Sequence, residues 1–254
     1  MNGACGVDFA WRPVFLDTVE STNNEAARMA RAGAPAGTLV QARRQTAGRG
    51  RQGRTWESPT GNLYVSFVLR PDCAPSAAPQ LSFVAALAAA ETIRPLLPTP
   101  AALRLKWPND LLIGGSKVAG LLLETESTEA RQLDWLIVGM GINIVSFPED
   151  MGAAATSLAA EGAAPAAPTD LLDSFMAIFP GWAARWQQEG FAPIRRSWLD
   201  SAAGLGSVIL ARLPNETLRG DFVGLDEDGA LMLALPDGTR RKIAAGDVFF
   251  APSA

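Results

Sequence analysis

The sequence predicts an α+β fold, a mixed β-sheet packed with helices, followed by a small β-barrel at the C-terminus. Three observations carry this expectation. Short runs of alternating apolar residues recur along the first 150 positions, and Ala- and Leu-rich segments of helical character are interleaved with them. After "GLG" near residue 204 the pattern changes to short strands broken by "PNET", "DEDG" and "PDGT". At 254 residues the chain exceeds the usual ~100–200 per domain, so a main domain over 1–203 with an appendage over 204–254 is expected.

The elements follow in order. "RPVFLDTVE" reads as a strand, and "STNNEAARMARAG" as a helix opened by a Ser/Thr cap and stopped at Gly33. "GTLVQAR" is a second strand leading into an arginine-rich loop, and "GNLYVSFVLR" alternates as a third. "APQLSFVAALAAAETIRPLL" is a helix closed by prolines. "LRLKWPNDLLIGGSKVAGLLLETES" reads as strand, Pro-Asn-Asp turn, short strand, Gly-Gly hairpin and strand. "LDWLIVGMGINI" reads as a buried strand ending in a glycine-rich turn. "AAEGAAPAAP", 159 to 168, reads as a mobile surface loop with little to pack, and Thr169 to about Gly190 as a helix.

Composition excludes several chemistries. The chain has no histidine, so Ser-His-Asp, Cys-His and HExxH sites are ruled out. Cys5 and Cys73 stand alone, which suggests neither a disulfide framework nor a structural zinc site, and no metal-ligating set is expected. No apolar run reaches the ~20 residues needed to span a bilayer, and no signal-peptide pattern opens the chain, so a cytoplasmic protein is expected. Net charge is −4, which argues against a general nucleic-acid or membrane surface.

Against that acidic background, "RRQTAGRGRQGRTW" (43 to 56) holds five arginines and three glycines. Backbone amides and guanidinium forks on so flexible a loop suit a phosphate, while a solvated basic loop is the other reading. Trp56 can stack a base or belong to the core. The spacing is neither that of a P-loop nor that of a dinucleotide fingerprint. The chain's lysines are Lys106, Lys117 and Lys242, and the first two fall within "KWPND" and "SKVAG". Lys106, Asn109, Asp110 and Lys117 can therefore face a cleft, or serve only as turn chemistry and a surface ion pair.

Taken together, "DTVESTNNEA", "GRGRQGRTW", "KWPNDLLIGGSKVAGLLLE" and "GMGINI" resemble the catalytic domain of biotin protein ligases over about Phe15 to Ile144. The β-rich tail is similar to that family's small C-terminal domain. The resemblance implies a class II aminoacyl-tRNA-synthetase-like catalytic domain with an SH3-like barrel behind it. It also implies an activity: ATP and biotin form biotinyl-5′-adenylate, and biotin then passes to a lysine of a biotin carboxyl carrier protein.

By match to the family's motifs, Ser21, Thr22 and Gln45 would bond biotin's ureido ring, with Asn23 beside them and the Gly48–Arg49 backbone closing over it. Arg49, Arg51 and Arg54 fill the loop positions, with Arg51 foremost in holding carboxylate, α-phosphate and adenylate. Lys117 would bridge carboxylate and phosphate, and Gly120, Gly139 and Gly141 would give the ligand close backbone approach. Trp56 would pack on adenine and Asn143 bond it, with Asn109 and Asp110 lining the nucleotide side. Asp110 would orient the incoming lysine, as a base or by position alone. Mg²⁺ is expected through the ATP phosphates.

The chain departs from the family in two places. Gln52 stands where some members carry a basic residue, and "GDVFFAPSA" keeps Asp247 but lacks the arginine downstream through which some members contact ATP. About a dozen residues precede the first strand, too few for a helix-turn-helix module, so no DNA-binding repressor role is expected. No DNA or membrane partner is expected, and the chain is expected to be a monomer or weak homodimer. A lipoate or octanoyl transferase shares the superfamily fold but uses a motif containing histidine. A non-catalytic binding module would have lost Lys117 or the loop arginines.

Overall fold

The computed structural model describes residues 10–127, 133–148 and 154–250. Cys5 and the tail after Phe250 lie outside them. The first two strands, β1 (Arg12–Val19) and β2 (Thr38–Gln45), run parallel and are joined through α1 (Thr22–Arg31). A parallel pair needs such a crossover. The remaining neighbours are antiparallel: β3 (Leu63–Leu69), β4 (Leu103–Lys106), β5 (Asp110–Ile113), β6 (Ser116–Ser127) and β7 (Leu133–Ile142). Their spatial order is β1-β2-β3-β7-β6-β5-β4. At the β5–β6 hairpin, Gly114 (φ 58°) and Gly115 (φ 92°) both take left-handed backbone, which is why the turn is Gly-Gly.

Helices cover both faces of this sheet, and β3 shows the consequence. All seven of its residues are buried. Leu63, Val65, Phe67 and Leu69 face α2 (Gln80–Ile93) and α3 (Pro168–Glu189), where Phe67 meets Phe179 at 5.0 Å. On the other face Val68 packs with Ala26, Ala27 and Ala30 of α1 and with Trp135 and Ile137 of β7. Each large apolar side chain buried in this way contributes about 1.5–3 kcal/mol. The apolar character of α2 continues all round because sheet, α3 and α4 (Phe191–Asp200) enclose it.

The C-terminal unit is a five-stranded antiparallel sheet ordered β11-β10-β9-β8-β12. It comprises β8 (Val208–Arg212), β9 (Thr217–Leu225), β10 (Leu231–Ala234), β11 (Arg240–Ile243) and β12 (Asp247–Phe250). The end strands do not pair with each other, so the small SH3-like unit is an open sheet rather than a closed barrel. It is anchored to the first unit where the Trp107 indole N–H donates to the Gly229 carbonyl at 3.0 Å.

Four local expectations change. Gly139 and Gly141 lie inside β7, paired to β3 and β6, instead of forming a turn. Helix α4 lies in a stretch for which no element was expected. Segment 159–168 is tied down: Ala163 and Ala166 pack on the core, and Ala164 N–H donates to the Leu96 carbonyl at 2.8 Å. Ser21 precedes α1 but makes no side-chain cap. The side chain of Gln45 takes the first amide instead, since Thr22 N–H donates to Gln45 Oε1 at 2.8 Å.

Candidate active site

On β7, Leu136, Val138, Met140 and Ile142 point into the main core, so Gly139 and Gly141 fall on the opposite face. Lacking side chains there, they leave room above the sheet, and a cavity of about 360 Å³ opens between α1, the arginine loop, β5–β7 and the C-terminal sheet. A cavity of this size takes a small organic ligand. Of the residues expected from sequence, all but Gly48 line it.

The deep corner is polar and buried. Ser21, Thr22 and Asn23 sit at the start of α1, and Thr22 Oγ1 lies 3.1 Å from Gln45 Oε1. Gln45 Nε2 donates to Ser58 Oγ at 2.8 Å, so its amide is fixed from both ends. Asn23 Nδ2 donates to Glu124 Oε2 at 2.8 Å, and Ser66 Oγ stands 2.6 Å from Asn23 Oδ1. A Cβ on Gly139 would sit 2.0 Å from that Oδ1. The glycine thus admits the Asn23 side chain as well as facing the cavity.

The arginine loop turns through a short 3₁₀ segment, Arg51–Gly53, with Gln52 in left-handed backbone at φ 56°. Gly48 packs behind the loop, where a Cβ would lie 2.4 Å from the Trp56 carbonyl. The arginines diverge. Arg49 donates to Asn24 Oδ1 at 2.5 Å and pairs with Glu124 at 3.0 Å. Arg51 donates to Asn109 Oδ1 at 3.3 Å and to the Gly246 carbonyl at 3.1 Å, with Asp247 at 3.7 Å. Arg54 also pairs with Asp247, so β12 supplies the counter-charge for two loop arginines. Burial lowers the Arg51 pKa from its ordinary value, and the Asp247 and Asp110 charges act against that shift.

The "KWPND" turn places Lys106 and Asp110 opposite each other across β4 and β5. Lys117 Nζ is 2.5 Å from Asp110 and Lys106 Nζ is 3.9 Å from it. Burial lowers the Lys106 pKa, and Asp110 offsets part of the effect. Asn109 is held through its side-chain amide to the Leu121 carbonyl. Trp56 lies against the sheet where a Cβ on Gly141 would be 2.6 Å from its ring, and Lys117 Nζ stands 5.2 Å from a Trp56 ring centroid. A Cβ on Gly120 would lie 3.0 Å from Lys117 Cε. Trp56 Nε1 is buried against the sheet at Gly141 with no hydrogen-bond partner among the described residues. Asn143 is buried and donates its amide to the Thr156 carbonyl at 3.0 Å.

Four contributors escaped the sequence reading. Ser66 follows strand alternation like any core position, and Glu124 falls in a run of leucines. Arg212 and Phe249 arrive from the C-terminal sheet. Only register, not spacing, brings these positions to the site.

Chemically, one end of the cavity offers short polar groups to a compact ligand with fixed donors and acceptors. The middle offers cations to carboxylate and phosphate oxygens, beside a flat indole suited to a base. Comparison with known proteins identifies the family. Residues 15–143 match the biotin/lipoate A/B protein ligase family, and residues 204–251 match the biotin protein ligase C-terminal domain. A biotin–[acetyl-CoA-carboxylase] ligase of Paracoccus denitrificans is 42% identical over 93% of this chain and 99% of its own length. The bifunctional ligase/repressor BirA of Bacillus subtilis is 35% identical over 92% of this chain and 73% of its own. The solved biotin protein ligase of Aquifex aeolicus in complex with biotin and ATP superposes with a TM-score of 0.77 at 28% identity, covering 93% of this chain and 97% of that one. Matched by both family models in succession, and by relatives over nearly its whole length, the chain belongs to the biotin/lipoate A/B protein ligase family.

Proposed function

We propose that the chain is a biotin–[biotin carboxyl carrier protein] ligase working in two steps within this one cavity. In the first, a biotin carboxylate oxygen attacks the α-phosphorus of ATP, the bond to the β-phosphate oxygen breaks, and biotinyl-5′-adenylate and pyrophosphate form. In the second, the ε-amine of a carrier lysine attacks the acyl carbon, AMP leaves with the C–O electron pair, and the proton released by the amine passes to water. The observation that carries this reading is the continuity of a buried polar corner, the Lys117–Asp110 pair and Trp56 along a single wall.

Ser21, Thr22, Asn23 and Gln45 hold the ureido ring in this reading, with the Arg49 backbone over it. Lys117 and Arg51 neutralise the carboxylate and the α-phosphate as negative charge moves between them, the kind of fixed-charge stabilisation on which acyl and phosphoryl transfer depend. Asp110, held by Lys117 and Lys106, receives and aligns the carrier's amine. Trp56 stacks adenine, with Asn109 and Asn143 beside it and Arg54 near the phosphates. Asp110 and Asp247 are already paired with cations, so a Mg²⁺ arriving with ATP would be held mainly by the nucleotide and would supply charge neutralisation there. Residues 1–203 make up the catalytic domain, and 204–254 form a domain that closes one side of the cavity. The partner is a biotin carboxyl carrier domain of a carboxylase, and the ligase acts on it in the cytoplasm as a monomer or weak dimer. Among the described residues, no helix is long and apolar enough to cross a membrane.

Two measurements test the assignment. Exchange of labelled pyrophosphate into ATP should require biotin and proceed without any carrier; exchange that prefers lipoate would move the chain to the other branch of its family. Trp56→Ala should raise the apparent KM for ATP about tenfold or more, the scale of one lost base–aromatic stack, and change the KM for biotin less. The reverse ranking would contradict the placement of adenine on Trp56.

A further inference from the structure

Among the described residues, six cationic side chains line the cavity: Arg49, Arg51, Arg54, Lys106, Lys117 and Arg212. Five are paired with Glu124, Asp247 or Asp110. Arg212 has no carboxylate partner among the described residues. It ends β8 and stands directly opposite Asp247 of β12, which places both residues on one face of the C-terminal sheet. Asp247 turns to the arginine loop. The Arg212 guanidinium instead lies 4.5 Å from the centroid of the Phe249 ring, two residues along the same face of β12. A guanidinium placed over a ring face is held without using up its N–H donors, and those donors match phosphate oxygens in a bidentate fork. Among the described residues, Arg212 is thus the cavity cation that lies over an aromatic face and has no counter-charge.

Resting on the ligase reading above, we propose that Arg212 binds the β- and γ-phosphates of ATP, the group released as pyrophosphate. Lys117 and Arg51 are committed to the carboxylate and α-phosphate, and two further phosphates need charge beyond them. The wall that continues past Arg51 and Arg54 is the β12 and β8 face carrying Arg212. Arg212 thus serves the first step and not the second, because pyrophosphate has left before the carrier reacts.

Arg212→Met, which keeps contact with Phe249 while removing the charge, and Arg212→Lys, which keeps charge without the planar fork, are compared with the unaltered chain. Arg212→Met should raise the apparent KM for ATP about tenfold, the loss of a charge-assisted contact, with the KM for biotin changing less than twofold. In the reverse direction, with biotinyl-5′-adenylate supplied, the KM for pyrophosphate should rise in parallel. Arg212→Lys should recover part of both effects. Transfer from supplied biotinyl-5′-adenylate to a carrier domain should stay within about twofold for both variants. Unchanged KM values for ATP and pyrophosphate would overturn the proposal, as would a transfer rate that falls in step with them, since Arg212 would then face the carrier. No exchange in the unaltered chain would remove the ligase reading itself, and this assignment with it.

Discussion

Replacement of Lys117 by alanine is expected to cut adenylate formation by 10²–10³-fold or more, read as biotin-dependent pyrophosphate release. The Lys117 ammonium is 2.5 Å from Asp110 and 5.2 Å from the Trp56 ring centroid, where the acid, phosphate and base sides of the cavity meet. Removing one fixed donor from a site where charge moves between oxygens costs about 2.7–4 kcal/mol of barrier, which sets that magnitude. The fold should survive. The Lys117 and Asp110 side chains are 29% and 16% exposed, and Lys106 remains 3.9 Å from Asp110, so the carboxylate is not left without a cation. Lys117→Arg should not restore the rate, because its longer planar head cannot occupy the same point between Asp110 and the indole. Unchanged pyrophosphate release in Lys117→Ala would remove the assigned role.

The second large effect is expected from Gly139→Ala. The new methyl would lie 2.0 Å from Asn23 Oδ1, so the asparagine must swing away from Ser66 and Glu124. Because one side chain can yield, the stability loss should be modest, about 1–2 kcal/mol. Biotin affinity should fall far more, about 10–100-fold by calorimetry, because the polar corner loses its arrangement. The cause is separable: if the methyl acts through Asn23, adding Asn23→Ala to Gly139→Ala should cost much less than Asn23→Ala costs alone. Biotin binding as tight as in the unaltered chain would show that Asn23 does not face the ligand.

Alternation and turn chemistry made the individual strands legible from Arg12 to Ser127, because each run had polar or Gly/Pro punctuation; their order in the sheet was not. Misreadings arose where one local signal had two physical causes. "GMG" can be a turn or a strand whose side chains have been removed to admit others, and the flanking pairing of β7 with β3 and β6 decided for the strand. In α4, Pro193 masks a helix whose Phe191, Ile194 and Trp198 are spaced for one face; the proline falls in the first turn, where no amide partner is needed. The Ala/Pro segment 159–168 looked unpackable, yet small side chains and backbone hydrogen bonds suffice to seat it.

Most of the site was legible because its residues cluster in motifs. Ser66, Glu124 and Arg212 were not, since each owes its place to a partner distant in sequence. Glu124 meets Asn23 across 101 positions, and Arg212 reaches the cavity only because β8 pairs with β12. Asp247 was noticed, but its pairing with Arg51 and Arg54 could only be seen in three dimensions.

The central claim is that the cavity makes an acyl-adenylate of biotin and hands the acyl group to a carrier lysine. Intact-mass analysis of a purified biotin carboxyl carrier domain, incubated with the chain, ATP, Mg²⁺ and either biotin or lipoate, tests it most directly. The predicted result is a gain of one biotinyl group on the carrier that requires ATP and is absent with lipoate. Tight biotin binding with no ATP-dependent gain on the carrier would contradict the account and leave a binding module in its place.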